Sequence, residues 1–308
     1  MFNHIPRIAL LFLFVSIGFL SSGLSSVLAA DKTFEDLYPG LASGALKAAT
    51  LATLPQGTLL IAGDLVIKES EITKMIRLSE RAVRKQLTQN AFFLLENMVI
   101  KRMLFQEASR AGFKEGDEDR VIMDFLSKEM KIAAVSEEEL GYLYNRTKEM
   151  FGGAPLEEVR GMLKEYLAGQ KREEAVRQYI LTLGKRTPIR INEVWVKKYT
   201  RLALDNPVDR VRLSGKPTLV EFGAPGCPPC DMMKPVLANL KKKFSKKLNV
   251  LFVHVGKEQF LGNRFGIQVI PVQVFFDKKG LEVFRHTGFF SQAEIENKMT
   301  QLGLLVQK

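Results

Sequence analysis

The chain has 308 residues, 46% hydrophobic and 26% charged, with 45 Lys and Arg against 34 Asp and Glu for a net charge of +11. That length accommodates two domains, and the balance of apolar and charged residues describes a globular protein and not a disordered one. The basic excess would suit nucleic acid, an anionic surface or acidic clients, but acids and bases are interleaved in stretches such as KREEAVRQ at 171–178, the pattern of a solvated helix face.

At the start, His4 and Arg7 lead into the apolar run IALLFLFVSIGFL, followed by serines and glycines and by the small residues Val27 and Ala29. This order reads as a signal peptide over 1–29, cleaved after Ala29. The alternative is an uncleaved N-terminal anchor facing the periplasm. Export to a periplasmic compartment argues against nucleic acid as a partner.

Residues 30–54 are rich in small side chains without a sustained period and read as a leader or loosely packed segment. GTLLIAGDLVI at 57–67 has the content of a strand or hairpin with a Gly-Asp turn. Ser70 is then the expected cap of a helix over 71–87, with Ile72, Met75, Ile76, Val83 and Leu87 on one face. A second helix covers 89–111, stopped by Gly112. Asp117 should cap a third helix to about residue 134, and Ser136 with Glu139 should form a capping box for a fourth. Pro155 fits the first position of a long helix over 156–185, which Gly161 and Gly169 would bend or open to another backbone. An extended piece at 189–196 closes a mainly α-helical domain, 55–196, and the polar stretch 197–215 reads as a linker. Strand and helix periods then alternate through 208–308, which predicts an α/β sheet.

Both cysteines of the chain lie in GAPGCPPCDMMKP, 223–235. Cys227 and Cys230 follow an apolar strand and precede a helical segment, so the first sulfur sits at the positive end of a helix, where the thiolate is favoured. A bridge across so short a loop restrains little chain entropy, which points to reactivity more than to structure. Half a zinc site would need two further ligands, and His254 and His286 lack the spacing to supply them. No metal and no cofactor are expected.

The apolar strand at 219–222 with its acid Glu221, the CPPC pair, Lys234-Pro235, FGIQVIP ending at Pro271, FFDKKG and Gly288 resemble the thioredoxin family. The resemblance implies a central mixed sheet flanked by helices, and protein-disulfide oxidoreductase activity. It also implies site roles: Cys227 as nucleophile, Cys230 as resolving cysteine, Pro271 as a cis-proline facing them, and Glu221 as the buried acid that takes a proton from Cys230. The lysine often found on the neighbouring strand is replaced by Phe252, and the usual flanking tryptophans by Gly223 and Gly226. Gly226, Pro228, Pro229 and Ile270 are the expected substrate contacts.

The N-terminal pattern resembles another family. ITKMI, LLENMVIKRMLFQEASRAGF, VSEEELGYLYNRTKEMF and TPIRI are similar to the helical domain of SurA-type exported chaperones, without the parvulin domain, so prolyl isomerisation is not implied. The combined expectation is an exported reductase or isomerase whose helical arm binds unfolded or disulfide-containing exported proteins. Electrons would come from a membrane thiol-reducing donor of the DsbD or CcdA type. A dithiol oxidase, a non-enzymatic periplasmic chaperone or assembly factor, and a helical bundle that merely spaces or dimerises the redox domain are the alternatives, the last making a homodimer through the helical domain possible.

Overall fold

The computed structural model describes residues 32–305; the expected signal segment, 1–29, lies outside them. In chain order the first part comprises α1 (Phe34–Leu37), β1 (Thr50–Ala52), β2 (Thr58–Ala62), β3 (Leu65–Lys68), α2 (Glu69–Leu78), α3 (Arg84–Gln89), α4 (Ala91–Arg110), α5 (Glu118–Glu129), α6 (Glu137–Thr147), α7 (Leu156–Arg186), β4 (Ile189–Asn192) and α8 (Glu193–Ala203). The second comprises α9 (Pro207–Arg212), β5 (Thr218–Gly223), α10 (Pro228–Lys243), β6 (Asn249–His254), α11 (Gln259–Arg264), β7 (Val272–Phe276), β8 (Glu282–Thr287) and α12 (Gln292–Gln301).

A mainly helical part thus precedes an α/β part with a mixed sheet, as the periodicity change predicts. In the first sheet, ordered β1-β4-β2-β3, β1 runs parallel to β4, and β2 is antiparallel to both β3 and β4. Helix α4 supplies its cover. Phe92, Leu95, Val99, Met103 and Leu104 recur on one face and are buried, and Phe92 meets Trp195 of α8 edge to face at 5.0 Å. The capping signals at Asp117 and Ser136 act where expected, each side chain accepting from the backbone N–H three residues on.

Several expectations change. The segment 30–54 is not loosely packed: Phe34, Leu41, Ala45, Leu46 and Ala49 belong to the core. It shows no helical period because a carboxylate holds it instead. Buried Glu96 of α4 accepts from the backbone N–H of Ser43 at 2.8 Å, of Gly44 at 2.7 Å and of Leu46 at 3.2 Å, and from the Ser43 hydroxyl at 2.9 Å. The helix expected over 71–87 is two helices, since Ser79 to Ala82 offers nothing to bury. Ser70 lies inside α2, whose cap is Lys68, its N–H donating to Glu71 at 2.9 Å. In α7 no other backbone approaches Gly161 or Gly169; the close approach is at Gly184, where a Cβ would stand 2.6 Å from the carbonyl O of Ala45.

The stretch 197–215 expected as a linker is folded into α8 and α9 and buries charge. Asp209 and Arg212 are fully buried and Arg264 of α11 is nearly so. Arg212 Nε donates to Asp209 at 2.5 Å and Arg264 Nη1 at 2.6 Å; Arg212 Nη1 also reaches the carbonyls of Pro39 (2.9 Å) and Gly280 (2.8 Å), and Arg264 Nη2 that of Gly40 (3.0 Å), while Arg212 Nη2 and Arg264 Nε are buried without a hydrogen-bond partner. Burial opposes ionisation of Asp209, but the Arg264 and Arg212 charges outweigh it and hold the carboxyl below its usual range. The cluster ties the 39–40 turn of the first part to α9, α11 and the β7–β8 turn of the second.

The second sheet runs β6-β5-β7-β8, with β5 parallel to β6 and antiparallel to β7, and β7 antiparallel to β8. On one face, Leu219 and Phe275 pack with Met233, Leu237 and Leu240 of α10 and Ile295 and Met299 of α12. On the other, Val220, Phe222 and Val274 pack with Leu261 of α11, Phe265 and Val208 of α9.

Two substitutions test this packing by urea denaturation. Gly184→Ala should cost about 1–3 kcal/mol through overpacking against Ala45, whereas Gly161→Ala, in open space on the same helix, should gain about 0.5–1 kcal/mol from helix propensity. Asp209→Ala should cost about 3–5 kcal/mol, because it leaves two buried guanidiniums without their counter-charge.

Candidate active site

Strand β5 hands the chain through a turn at 224–226 directly to α10. Gly226 sits at φ 80° in that turn, a conformation glycine enters at no steric cost. Cys227 is the N-cap of α10, and Pro228 and Pro229 occupy its first turn, where their missing N–H groups would have had no intrahelical partner anyway. The first helical bond runs from Asp231 N–H to the carbonyl of Cys227, 2.9 Å. Cys227 and Cys230 form a disulfide with Cα atoms 5.2 Å apart. Cys230 is buried, while Cys227 is half-buried and faces outward beside the exposed Gly226.

Across from the pair, the Ile270–Pro271 peptide is cis, and the carbonyl O of Ile270 lies 4.0 Å from Cys227 Sγ. Gly288 N–H donates to the Pro271 carbonyl at 2.8 Å, pinning this loop to the end of β8. Cys227, Pro228, Gly226 and Ile270 therefore share one rim, and Pro229 is half-buried at its edge. Gly223 is not part of that rim. It is buried beneath the pair, where a Cβ would come within 3.0 Å of the Phe252 ring and 3.4 Å of Cys230 Sγ. A larger residue there would push into the disulfide, so the requirement is close packing and not an open rim.

Because alternate strand residues share a face, Glu221 points the same way as Gly223, about 7 Å farther along β5. It is fully buried, and neither carboxylate oxygen has a hydrogen-bond partner. Its neighbours across the ladder are Phe252 on β6 and Gln273 on β7. Phe252 thus stands where a lysine would have supplied a counter-charge. Burial pushes the Glu221 carboxyl up to about 8, with the Gln273 amide pulling weakly the other way. A group near neutrality behind Cys230 can both take and return a proton.

The histidines are engaged locally. His254 Nδ1 accepts from Gly256 N–H at 3.1 Å, and His286 Nε2 lies 3.2 Å from the Phe289 carbonyl with its ring stacked on Phe290. Among the described residues no group of three or more His, Cys, Asp and Glu is placed to hold a metal ion, and no helix is long and apolar enough to cross a membrane.

The thioredoxin-like domain family matches residues 204–303. Over 85 residues the chain is 32% identical to the thioredoxin of Haemophilus influenzae, an alignment covering 28% of this chain and 78% of that one. The chain belongs to the thioredoxin family. Its thioredoxin domain is also 41% identical over 83 residues to Protein disulfide-isomerase erp38 of Neurospora crassa, covering 26% of this chain and 22% of the relative. With the Thiol:disulfide interchange protein TxlA homolog of Synechocystis it shares 33% over 102 residues, 32% of this chain and 52% of that one. The chain thus spans about a fifth of the erp38 protein and about half of the interchange protein.

Glu221 links site chemistry to stability. Folded, it holds its proton up to about pH 8, whereas the unfolded chain releases it near the ordinary value of 4.5. Its contribution is therefore fully present below pH 4.5, declines as pH rises through about 8, and then levels. Between pH 5 and pH 9, denaturation of the oxidised wild type should show a loss on the order of a few kcal/mol that Glu221→Leu does not show. Equal losses in the two proteins would mean that the carboxyl ionises at its ordinary pKa.

Proposed function

We propose that this chain is an exported thiol:disulfide oxidoreductase of the reductase or isomerase type. The observation that carries this reading is the Cys227–Cys230 pair at the start of α10, with one sulfur half-exposed opposite Pro271 and the other buried above Glu221. In the reduced form, the Cys227 thiolate attacks a client disulfide. A bond forms between Cys227 Sγ and one client sulfur, and the other client sulfur leaves as a thiolate that takes up a proton. Cys230 then passes its proton to the Glu221 carboxylate, and its thiolate attacks Cys227 Sγ. The client's remaining sulfur is expelled, the Cys227–Cys230 disulfide forms, and two electrons have passed to the client. Glu221 returns its proton to solvent or to the leaving thiolate. Re-reduction of the pair is assigned to a membrane thiol-reducing donor, because an exported compartment is oxidising.

The rim around Cys227 suits a polypeptide substrate. Pro228 and Gly226 are exposed, and Val269 and Met232 lie partly open beside them. An extended backbone can pair with the chain next to Pro271. Client handling is assigned to the helical part as a SurA-like arm. Leu78 of α2, Met123 of α5 and Met162 of α7 are exposed there, and flexible side chains of this kind adapt to varied apolar partners.

Reduction of an insulin-type disulfide tests the proposal. Cys227→Ser should abolish turnover, and Cys230→Ser should accumulate mixed disulfides whose captured partners identify the clients. A potential near about −270 mV fits a reductase and one near about −120 mV an oxidase. If the wild type reduces no disulfide while the double serine variant suppresses aggregation as well as the wild type, the chain is a chaperone and the redox reading is wrong.

A further inference from the structure

The face of the second sheet beneath α10 carries a row of four residues that crosses it from edge to edge: Phe252 on β6, Glu221 on β5, Gln273 on β7 and His286 on β8, each paired in register with the next. At its centre, Glu221 and Gln273 are both fully buried, and all four of their terminal polar atoms lack a hydrogen-bond partner. Directly opposed residues in a ladder have Cβ atoms about 4.5–5.5 Å apart, so the amide of Gln273 lies beside the Glu221 carboxyl, with His286 on its other side. An unpaired buried polar group costs about 1–3 kcal/mol. Leu219, Phe275 and Met233 pack around the pair on this face, and a leucine at 273 would have avoided that cost.

From this placement we infer that Gln273 is a positioning residue for the Glu221 proton: its amide offers Oε1 to the protonated carboxyl and Nε2–H to the carboxylate. The inference rests on the oxidoreductase reading for its catalytic meaning. An amide is the neutral side chain that presents both an acceptor and donors, so a small rotation lets it follow the carboxyl through gain and loss of the proton. A lysine could only donate and would fix the anion. Phe252, on the other side, can do neither.

The charged groups on the elements packed against this face are held elsewhere. On α10, Asp231 and Lys234 pair with each other at the surface. On α12, Glu296 is taken by Lys243, Glu294 accepts the Ser291 N–H of its capping box, and Lys298 lies over the Phe284 ring. On β8, His286 is stacked on Phe290. The ionisation of Glu221 is governed by burial and by Gln273, so altering the amide should act on the proton directly.

An infrared titration of the protonated carboxyl stretch, with Glu221→Gln as the blank, reads the proton without relying on turnover. In Gln273→Met, which roughly keeps volume and loses the amide, the Glu221 midpoint should move upward by about one unit, and resolution of a preformed mixed disulfide at pH 7 should slow about tenfold. The rate should recover above the new midpoint, which a purely structural defect would not allow. Gln273→Asn, whose amide is too short to follow the carboxyl, should shift the same way and serves if the methionine variant does not fold. An unchanged midpoint in the folded variants, or equal slowing at every pH, would overturn the assignment. If the wild type exchanges with no disulfide at all, the oxidoreductase reading fails instead, and the infrared midpoint still decides whether Gln273 governs the carboxyl.

Discussion

Strand β5 has no exposed residue. Its edges are bonded to β6 and β7, and its faces are covered by α10 and α12 on one side and α9 and α11 on the other. A strand enclosed on both faces is ordinarily a continuous apolar run, and five of its six residues need no explanation beyond that: Thr218 turns its hydroxyl to the carbonyls of Val211 and Lys216, and the others are apolar or glycine. The enclosure does two things at once. It desolvates the single carboxyl at position 221, and it ends in a buried glycine, so that the chain leaves the sheet against Cys230 and enters α10 with Cys227 as its cap. The position of both sulfurs and the unusual acidity of the group behind them therefore follow from one constraint, the closure of β5.

The Asp209 cluster is a constraint of another kind. Two guanidiniums surround one carboxylate out of water, and the excess positive charge is spread over backbone carbonyls from three separate turns. A buried ion pair seldom adds net stability over an apolar replacement of the same shape. What this one supplies is geometry: Arg212 reaches Pro39 and Gly280 together, and Arg264 reaches Gly40, so these bonds fix the seating of the 39–40 turn. Gly40, at φ 68°, brings its backbone to within contact of Arg212, where a Cβ would lie 3.0 Å from Nη1. The helical part is thereby fastened to the thioredoxin domain at a defined position.

The sequence carries these features unevenly. Periodicity and caps are local, so Asp117, Ser136 and the hairpin at Gly63 are readable from a few residues each. The cysteine pair and its flanking elements are equally legible, because a strand, a turn and two prolines opening a helix leave few other arrangements. What escapes local reading is held by partners distant in sequence. The segment around Ser43 is ordered by Glu96, fifty residues on, and Asp209 is matched by Arg264 from a helix too short, at six residues, to show a period. A polar stretch such as 197–215 looks like a linker when its charges are assumed to face water; here two of them are buried against each other. Gln273 left a fainter signal: one amide inside the apolar run VQVFF, at a parity that puts it on the face of Leu219 and Phe275.

That parity also bears on why the acid at 221 tolerates its position. A carboxylate in the centre of a sheet is ordinarily stabilised by a cation or by several N–H donors; this one has a phenyl ring on one side and an amide on the other. Holding the neutral form is the remaining solution, and it makes the ionised fraction a stronger base than an ordinary carboxylate. A permanent counter-charge would make the anion more comfortable and a weaker base. The absence of charge on Phe252 and Gln273 therefore keeps the carboxyl basic, and the cost falls on folding stability at alkaline pH.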